Sequence, residues 1–305
     1  MATDPKPFSW LEPSALARLM AQPLVTGLPM EGTISGHHKS PHRGSSVEFA
    51  EYRNYVPGDD IRRLDWRVFA KTDRFYMKEF EAETNLRAYL VLDCSGSMAF
   101  TGLGRNKFDF ARQLIATLAY LIIHQGDAVG LLCVGEKGFR EIPARRNPSH
   151  LHLILETLDS LRPSGETGLI PALHEMAEKI RPRAVVSIFS DFFCEIDGLL
   201  SCFQHLRYKK HDLAAFQLLD QMEIDFQFDR PIRFTDLEGS FSLVTEPTVI
   251  REEYQRQLQI FLERFRTGCH EFKADYRRVL TDANYEKVLS DFLVQRAQHA
   301  DRPVI

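Results

Sequence analysis

Asp93, Ser95 and Ser97 stand at alternate positions in YLVLDCSGSMAF, directly after a run of strand-forming residues. Asp191 closes a second apolar run, VVSIFSD. Thr167 falls between them in PSGETGLIPAL, in a loop just ahead of a helical pattern. The inventory is two carboxylates and three hydroxyls, with no histidine or thiol in the set. Hard oxygen donors of this kind suit Mg²⁺, Mn²⁺ or Ca²⁺ rather than zinc or copper. Hydroxyls are neutral and cancel none of a metal's charge. An ion held this way keeps an appetite for one more anionic oxygen, preferably a carboxylate from a partner and less readily a phosphate. Taken alone, Asp93, Ser95 and Ser97 also suit a helix cap. Their order with Thr167 and Asp191 is what favours a cation site.

Those residues need elements that bring three loops together. From about Leu86 onward apolar strand patterns alternate with helical ones. LRAYLVLD, DAVGLLCVG, AVVSIFSD and DLAAFQLLD read as strands, FREIP as a short edge strand, and HEFKADYRRVL as the site of a last one. Helical spacing links Phe108, Ala111, Ile115, Leu118 and Ile122, with Gly126 as the stop. The same periodicity runs from His150 to Leu161, from Ile170 to Ile180, and through Leu199, Phe203 and Leu206. Two longer helices follow, from Ile250 to Phe265 and from Tyr285 to Leu293. Ahead of them Arg230 to Pro247 reads as extended pieces around Glu238–Gly239. Near-continuous apolar strands separated by helices predict a doubly wound, mostly parallel α/β sheet covered on both faces. Ligands in such sheets sit beyond the carboxyl ends of the strands, where Asp93 and Asp191 fall.

Residues 1–85 differ. A short helix is predicted from Pro13 to Ala21, and Thr26 to Ser46 is rich in Gly, Ser, Pro and His. VEFAEYRNYVPGDDIRRLDWRVFAKTDRFYMKEFEAE then reads as strand, Pro-Gly turn, short helix and strand. The expected division is a small N-terminal α+β subdomain over 1–85 and an α/β domain over 86–305.

The 305 residues carry a net charge of −4, which argues against a dedicated nucleic-acid protein. No apolar run approaches the roughly 18 to 20 residues needed to span a bilayer, and no signal-peptide pattern opens the sequence. Five scattered cysteines without a CxxC read as reduced thiols, and the expected location is cytoplasmic.

Asp93-x-Ser95-x-Ser97, Thr167 and Asp191, in that order, resemble the metal-ion-dependent adhesion site of von Willebrand factor A domains. Two departures accompany the match: Glu166 stands where a second small residue is common, and Phe192 where glycine is frequent. Either is expected to narrow the site or weaken ion affinity. The stretch GSSVEFAEYRNYVPGDDIRRLDWRVFAKTDRFYMKEFEAE resembles the signature of the bacterial family called domain of unknown function 58. The resemblance covers about residues 30–297. It implies a von Willebrand factor A-like, Rossmann-like domain in an accessory protein that works with a MoxR-type AAA+ ATPase. It implies no reaction.

Arg53, Asp59, Asp60, Arg62, Arg63, Asp65, Trp66 and Arg67 crowd one short segment. Charges paired around a Pro-Gly turn and a capped helix are the plain reading. The sharper one makes Arg53, Asp59, Asp60, Arg62, Asp65 and Trp66 a partner-docking face with an aromatic anchor. His37, His38, Lys39, His42 and Arg43 read as a solvated cationic loop. No catalytic residue is predicted. A phosphoaspartyl transferase needs a second aspartate where Ser95 stands, a serine hydrolase elbow needs glycine where Asp93 stands, and Cys94 has no assignable histidine. The expected function is a non-enzymatic, divalent-cation-dependent protein-interaction adaptor whose bound ion accepts an acidic side chain from an ATPase or client protein. Two alternatives stay open: a metal-dependent phosphatase or phosphotransferase using Asp93, and a scaffold with an empty metal site that binds through the Trp66 segment.

Overall fold

The computed structural model describes residues 10–26, 38–39, 48–54, 68, 76–81, 83–84, 86–136, 138–228, 230, 232–239 and 242–300. The chain divides into two units, one of residues 29–86 and one of residues 1–28 with 87–305. Helix α1 (Pro13–Leu19) begins with proline at its first turn, where no N–H is needed, and buries Ala15, Leu16 and Leu19. It packs on two helices of the larger unit, described below as α2 and α8. The N-terminal helix therefore groups with the α/β domain rather than with the segment after it.

In the smaller unit four strands are described: β1 (His38–Lys39), β2 (Glu48–Asn54), β3 (Tyr76–Glu81) and β4 (Glu83–Thr84). β1 pairs with β4 and β2 with β3, both antiparallel, with a bulge between Phe49 and Glu51. Of the predicted docking face only the backbone of Arg53 is described, in β2 opposite Met77. Asp59, Asp60, Arg62, Asp65 and Trp66 lie outside the described residues, as do the Pro57-Gly58 turn, His37, His42 and Arg43.

The larger unit is built on six strands: β5 (Arg87–Asp93), β6 (Ala128–Gly135), β7 (Gly138–Arg145), β8 (Val185–Ser190), β9 (Asp212–Leu219) and β12 (Asp275–Leu280). Their order is β12-β9-β8-β5-β6-β7, parallel throughout except for the antiparallel edge strand β7. β8 and β9 are buried at every position, Ser187 and Gln217 included, as near-continuous apolar runs require of strands covered on both faces. β7 alternates exposed and covered residues instead, the pattern of an edge.

Helices α2 (Lys107–His124), α3 (Pro148–Ser160), α4 (Leu169–Lys179) and α5 (Ile196–Tyr208) connect these strands. After β9 come α6 (Gln221–Asp225), a hairpin of β10 (Ile232–Thr235) and β11 (Ser242–Thr245), α7 (Pro247–Glu271) and α8 (Tyr285–Ala300). On one face Tyr89 and Val91 join Leu173, Phe203, Phe265 and other residues of α4, α5 and α7 in a single apolar cluster. On the other, α2 packs against β5, β6, α3 and α8.

The order of connections fixes where a site can form. The chain runs from β5 to β6 and β7 on one side, then crosses back to β8 and β9 on the other. β5 is thus flanked by β6 and β8, and the loops leaving β5 and β8 diverge at a topological switch point. Asp93 ends β5 and Asp191 follows β8 directly. The loop entering α2 is braced by the buried Asp220 carboxylate, which accepts backbone N–H groups of Gly102, Leu103 and Gly104 at 3.1–3.2 Å. A side chain at Gly102 would collide with that carboxylate, a Cβ there lying 2.2 Å from Asp220 Oδ1.

Candidate functional site

The turn after β5 is shaped by Asp93 itself, whose Oδ1 accepts the Ser95 N–H at 2.9 Å. A 3-10 turn, Gly96–Ala99, follows, and Ser95 makes no side-chain cap to it. Capping of α2 falls to Asn106, whose side chain accepts the N–H groups of Phe108 and Asp109. The helix-cap alternative for the two serines therefore fails, and their hydroxyls face each other at 3.0 Å.

The second loop is stitched to the first through its backbone. Gly96 N–H donates to Gly165 O at 2.8 Å, and Ser164 N–H donates to Cys94 O at 2.9 Å. That registration brings Thr167 Oγ1 to 3.3 Å from Asp93 Oδ2. Glu166 points to solvent. The third loop contributes through Ser190 as well as Asp191. Ser190 Oγ donates to Asp93 Oδ2 at 2.6 Å and accepts the Phe192 N–H at 2.8 Å. The structure thus gathers Asp93, Ser95, Ser97 and Thr167, with Asp191 close enough to act on the Asp93 charge.

Burial, together with the repulsion of Asp191, pushes the Asp93 carboxyl up to about 6, against the pull of its hydrogen bonds from Ser190 and Ser95. Sequence reasoning missed what holds Asp191. The Lys107 ammonium, fully buried, lies 2.7 Å from both Asp191 Oδ2 and Glu223 Oε1. Burial opposes the Lys107 charge, but Asp191 and Glu223 outweigh it and raise its pKa. Asp191 Oδ1 also accepts the Phe193 N–H at 3.2 Å. With both oxygens engaged, Asp191 is placed to act on an ion through water more readily than by direct contact.

Lys107 had a legible signal. It extends the apolar stripe of Ala111, Ile115, Leu118 and Ile122 by one turn, and a lysine on a buried stripe needs a buried anion. Ser190 had a weaker signal, as a polar residue ending an apolar strand. Three carboxylates (Asp93, Asp191, Glu223) against one ammonium leave the ionised cluster at −2.

Oxygen donors of this type and that uncompensated charge fit a hard divalent cation. Among the described residues no group of three or more His, Cys, Asp and Glu side chains forms a metal cluster, because most donors here are hydroxyls.

Phe192 takes a positive φ of 60°, which explains why glycine is frequent at this position. Its ring does not narrow the site. It is buried against Phe203 and Phe265, with centroids at 6.4 and 4.7 Å. Phe192→Gly relieves about 1–2 kcal/mol of backbone strain and forfeits about 3–5 kcal/mol of aromatic packing. The expected result in urea unfolding is a net loss of about 1–4 kcal/mol. Mn²⁺ affinity should stay within about threefold of wild type, since the ring touches no donor; a larger change would place it in the site after all.

The sequence matches the family described as "Protein of unknown function DUF58" over residues 51–260. The chain belongs to the DUF58 family. Relatives include Uncharacterized protein Rv1480 of Mycobacterium tuberculosis, 29% identical over 219 residues, which span 70% of this chain and 68% of the relative. Uncharacterized protein YeaD of Bacillus subtilis is 29% identical over 107 residues, or 35% of this chain and 25% of YeaD. Among solved structures, the conserved hypothetical protein BatB from Bacteroides thetaiotaomicron aligns with 70% of this DUF58 chain and all of its own at 16% identity, with a TM-score of 0.48. The SpRpn10 VWA domain aligns with 73% of this chain and all of its own at 11% identity, with a TM-score of 0.41. Among the described residues of this DUF58 protein, no helix is long and apolar enough to cross a membrane.

Proposed function

We propose that this DUF58 protein is a protein-interaction adaptor that recognises an acidic side chain through a divalent cation, Mg²⁺ or Mn²⁺, at the switch point of its sheet. One observation carries the reading: Asp93 and three hydroxyl side chains from two loops meet, and Asp93 with Asp191, Glu223 and Lys107 sums to −2 when ionised. Asp93, Ser95, Ser97 and Thr167 would hold the ion, with Asp191 behind them. A cation held there supplies an electron-poor position that a carboxylate completes. Three of the four donors are neutral, so the site itself leaves that position unsatisfied.

An adaptor is favoured over a phosphotransferase by the surroundings of Asp93. It is buried, and its nearest partners are the Ser190 hydroxyl, the Ser95 N–H and the Thr167 hydroxyl, none of which is the acid–base group that phosphoryl transfer through Asp93 would need. The neighbouring thiol is no better placed as a nucleophile: Cys133 and burial raise the Cys94 pKa far above that of a reactive cysteine. The resemblance to the MoxR-associated family nominates a MoxR-type AAA+ ATPase, or the client it acts on, as the source of the acid.

The test is calorimetric titration of the full chain with Mn²⁺ and Mg²⁺, with Asp93→Ala and Asp191→Ala in parallel. Saturable one-site binding is expected, abolished by Asp93→Ala and weakened by Asp191→Ala. Absence of saturable binding up to millimolar ion, or binding that Asp93→Ala leaves intact, would overturn the reading.

A further inference from the structure

The β10–β11 hairpin ends in the acidic tip Thr235-Asp236-Leu237-Glu238-Gly239, and that tip lies on the turn that carries the two serines. The approach is close enough to require glycine. A Cβ on Gly96 would sit 1.9 Å from the Leu237 carbonyl oxygen, so no side chain fits at residue 96 with the hairpin in place. The next residue along, Ser97, donates its N–H to Glu238 Oε1 at 3.4 Å. The tip is turned for this: Glu238 N–H donates to Asp236 Oδ1 at 2.9 Å.

The base of the hairpin is anchored. Phe234 stacks on Phe226 at 5.4 Å and meets Phe228 edge-on. Arg251 holds the carbonyls of Phe226 and Phe228 at 3.2 and 2.9 Å. An anchored base and an exposed tip, in which only Glu238 is partly covered, make a short arm that reaches the site from 141 residues away in sequence.

Charge makes this placement informative. The buried cluster beside Ser97 already carries −2, and a further carboxylate brought to its edge is repelled unless a cation is shared. The geometry points to Glu238 as the protein's own acidic ligand, supplying in cis the carboxylate that a partner would supply in trans. This rests on the divalent-cation reading above and adds its regulation. A partner's acid must displace Glu238, so binding is gated by the hairpin, and the resting site is closed against adventitious carboxylates.

The test uses Mn²⁺ and acetate as probes on the 305-residue chain, with Glu238→Ala, Glu238→Gln and Asp93→Ala variants. Both Glu238 variants should bind Mn²⁺ about tenfold more weakly than wild type, the scale of losing one supporting carboxylate. Acetate at tens of millimolar should restore the affinity of Glu238→Ala and leave wild type unchanged. Mn²⁺ should slow amide exchange across residues 232–245 in wild type and not in Glu238→Gln.

Wild-type Mn²⁺ affinity in both Glu238 variants, with no acetate response, would overturn the cis ligand and leave the cation site standing, provided Asp93→Ala abolishes binding. Absence of Mn²⁺ binding by wild type, or its survival in Asp93→Ala, would overturn both.

Discussion

Alanine at Lys107 is expected to cost the fold about 3–5 kcal/mol, the usual penalty for breaking a buried ion pair from one side. The ammonium is the only positive charge within hydrogen-bonding reach of Asp191 and Glu223 among the described residues, at 2.7 Å from each. It also lies 5.6 Å from the Phe100 ring centroid and 5.5 Å from that of Phe193, so truncation removes two cation–π contacts as well. What remains is a buried Asp191 carboxylate and a partly buried Glu223 carboxylate with no counter-charge. Burial already raises the Glu223 pKa, with Lys107 offsetting only part of the effect. Without the ammonium it rises further, so the variant should lose stability as pH rises through the Glu223 range and recover part of it on acidification. Equilibrium unfolding in urea at several pH values measures this directly. A loss under about 1 kcal/mol at neutral pH would mean that Lys107 is not the counter-charge the geometry makes it.

Asp93→Asn is expected to act in the opposite direction on the metal-free protein. The Asp93 carboxyl is raised from 3.8 to about 6 in the fold. A carboxyl whose folded pKa exceeds its unfolded value favours the folded state while protonated. That contribution is complete below pH 3.8 and is lost as pH rises through about 6. Above that window the ionised aspartate costs on the order of 2–3 kcal/mol, which a neutral asparagine avoids. The asparagine oxygen can keep the Ser95 N–H, and its NH2 can donate to the Ser190 and Thr167 hydroxyls, which accept as well as donate.

In metal-free buffer at pH 7.5, Asp93→Asn should therefore be the more stable protein. Its advantage should shrink to nothing near pH 4. Saturating Mn²⁺ should reverse the order, because ligand binding stabilises only the form that binds it. An asparagine variant less stable than wild type at pH 7.5 without metal would contradict the strained-anion account of the site.

Much of this molecule is determined by patterns within short windows of sequence. Near-continuous apolar runs at Ala88–Leu92 and Val185–Phe189 need cover on both faces, which dictates a parallel sheet between helices. The spacing of Phe108, Ala111 and Ile115, the prolines at the starts of α1 and α3, and Gly126 past the end of α2 mark the helices locally. Asp93, Ser95, Ser97, Thr167 and Asp191 were legible as a set because each sits at a strand end or just before a helix, where this class of sheet opens its site.

Tertiary structure alone decided the electrostatics. Lys107 meets Asp191 across 84 residues and Glu223 across 116, and Glu238 reaches Ser97 across 141. Periodicity reports which face of an element is buried, but carries no information about which distant charge shares that burial. Phe192 makes the same point for the backbone. Its sequence suggested a ring crowding the site, whereas its left-handed φ turns the side chain into the core and leaves only its N–H beside Asp93, through Ser190. Donor types are a property of the sequence; their net charge, and the arm laid over them, exist only once the chain has folded.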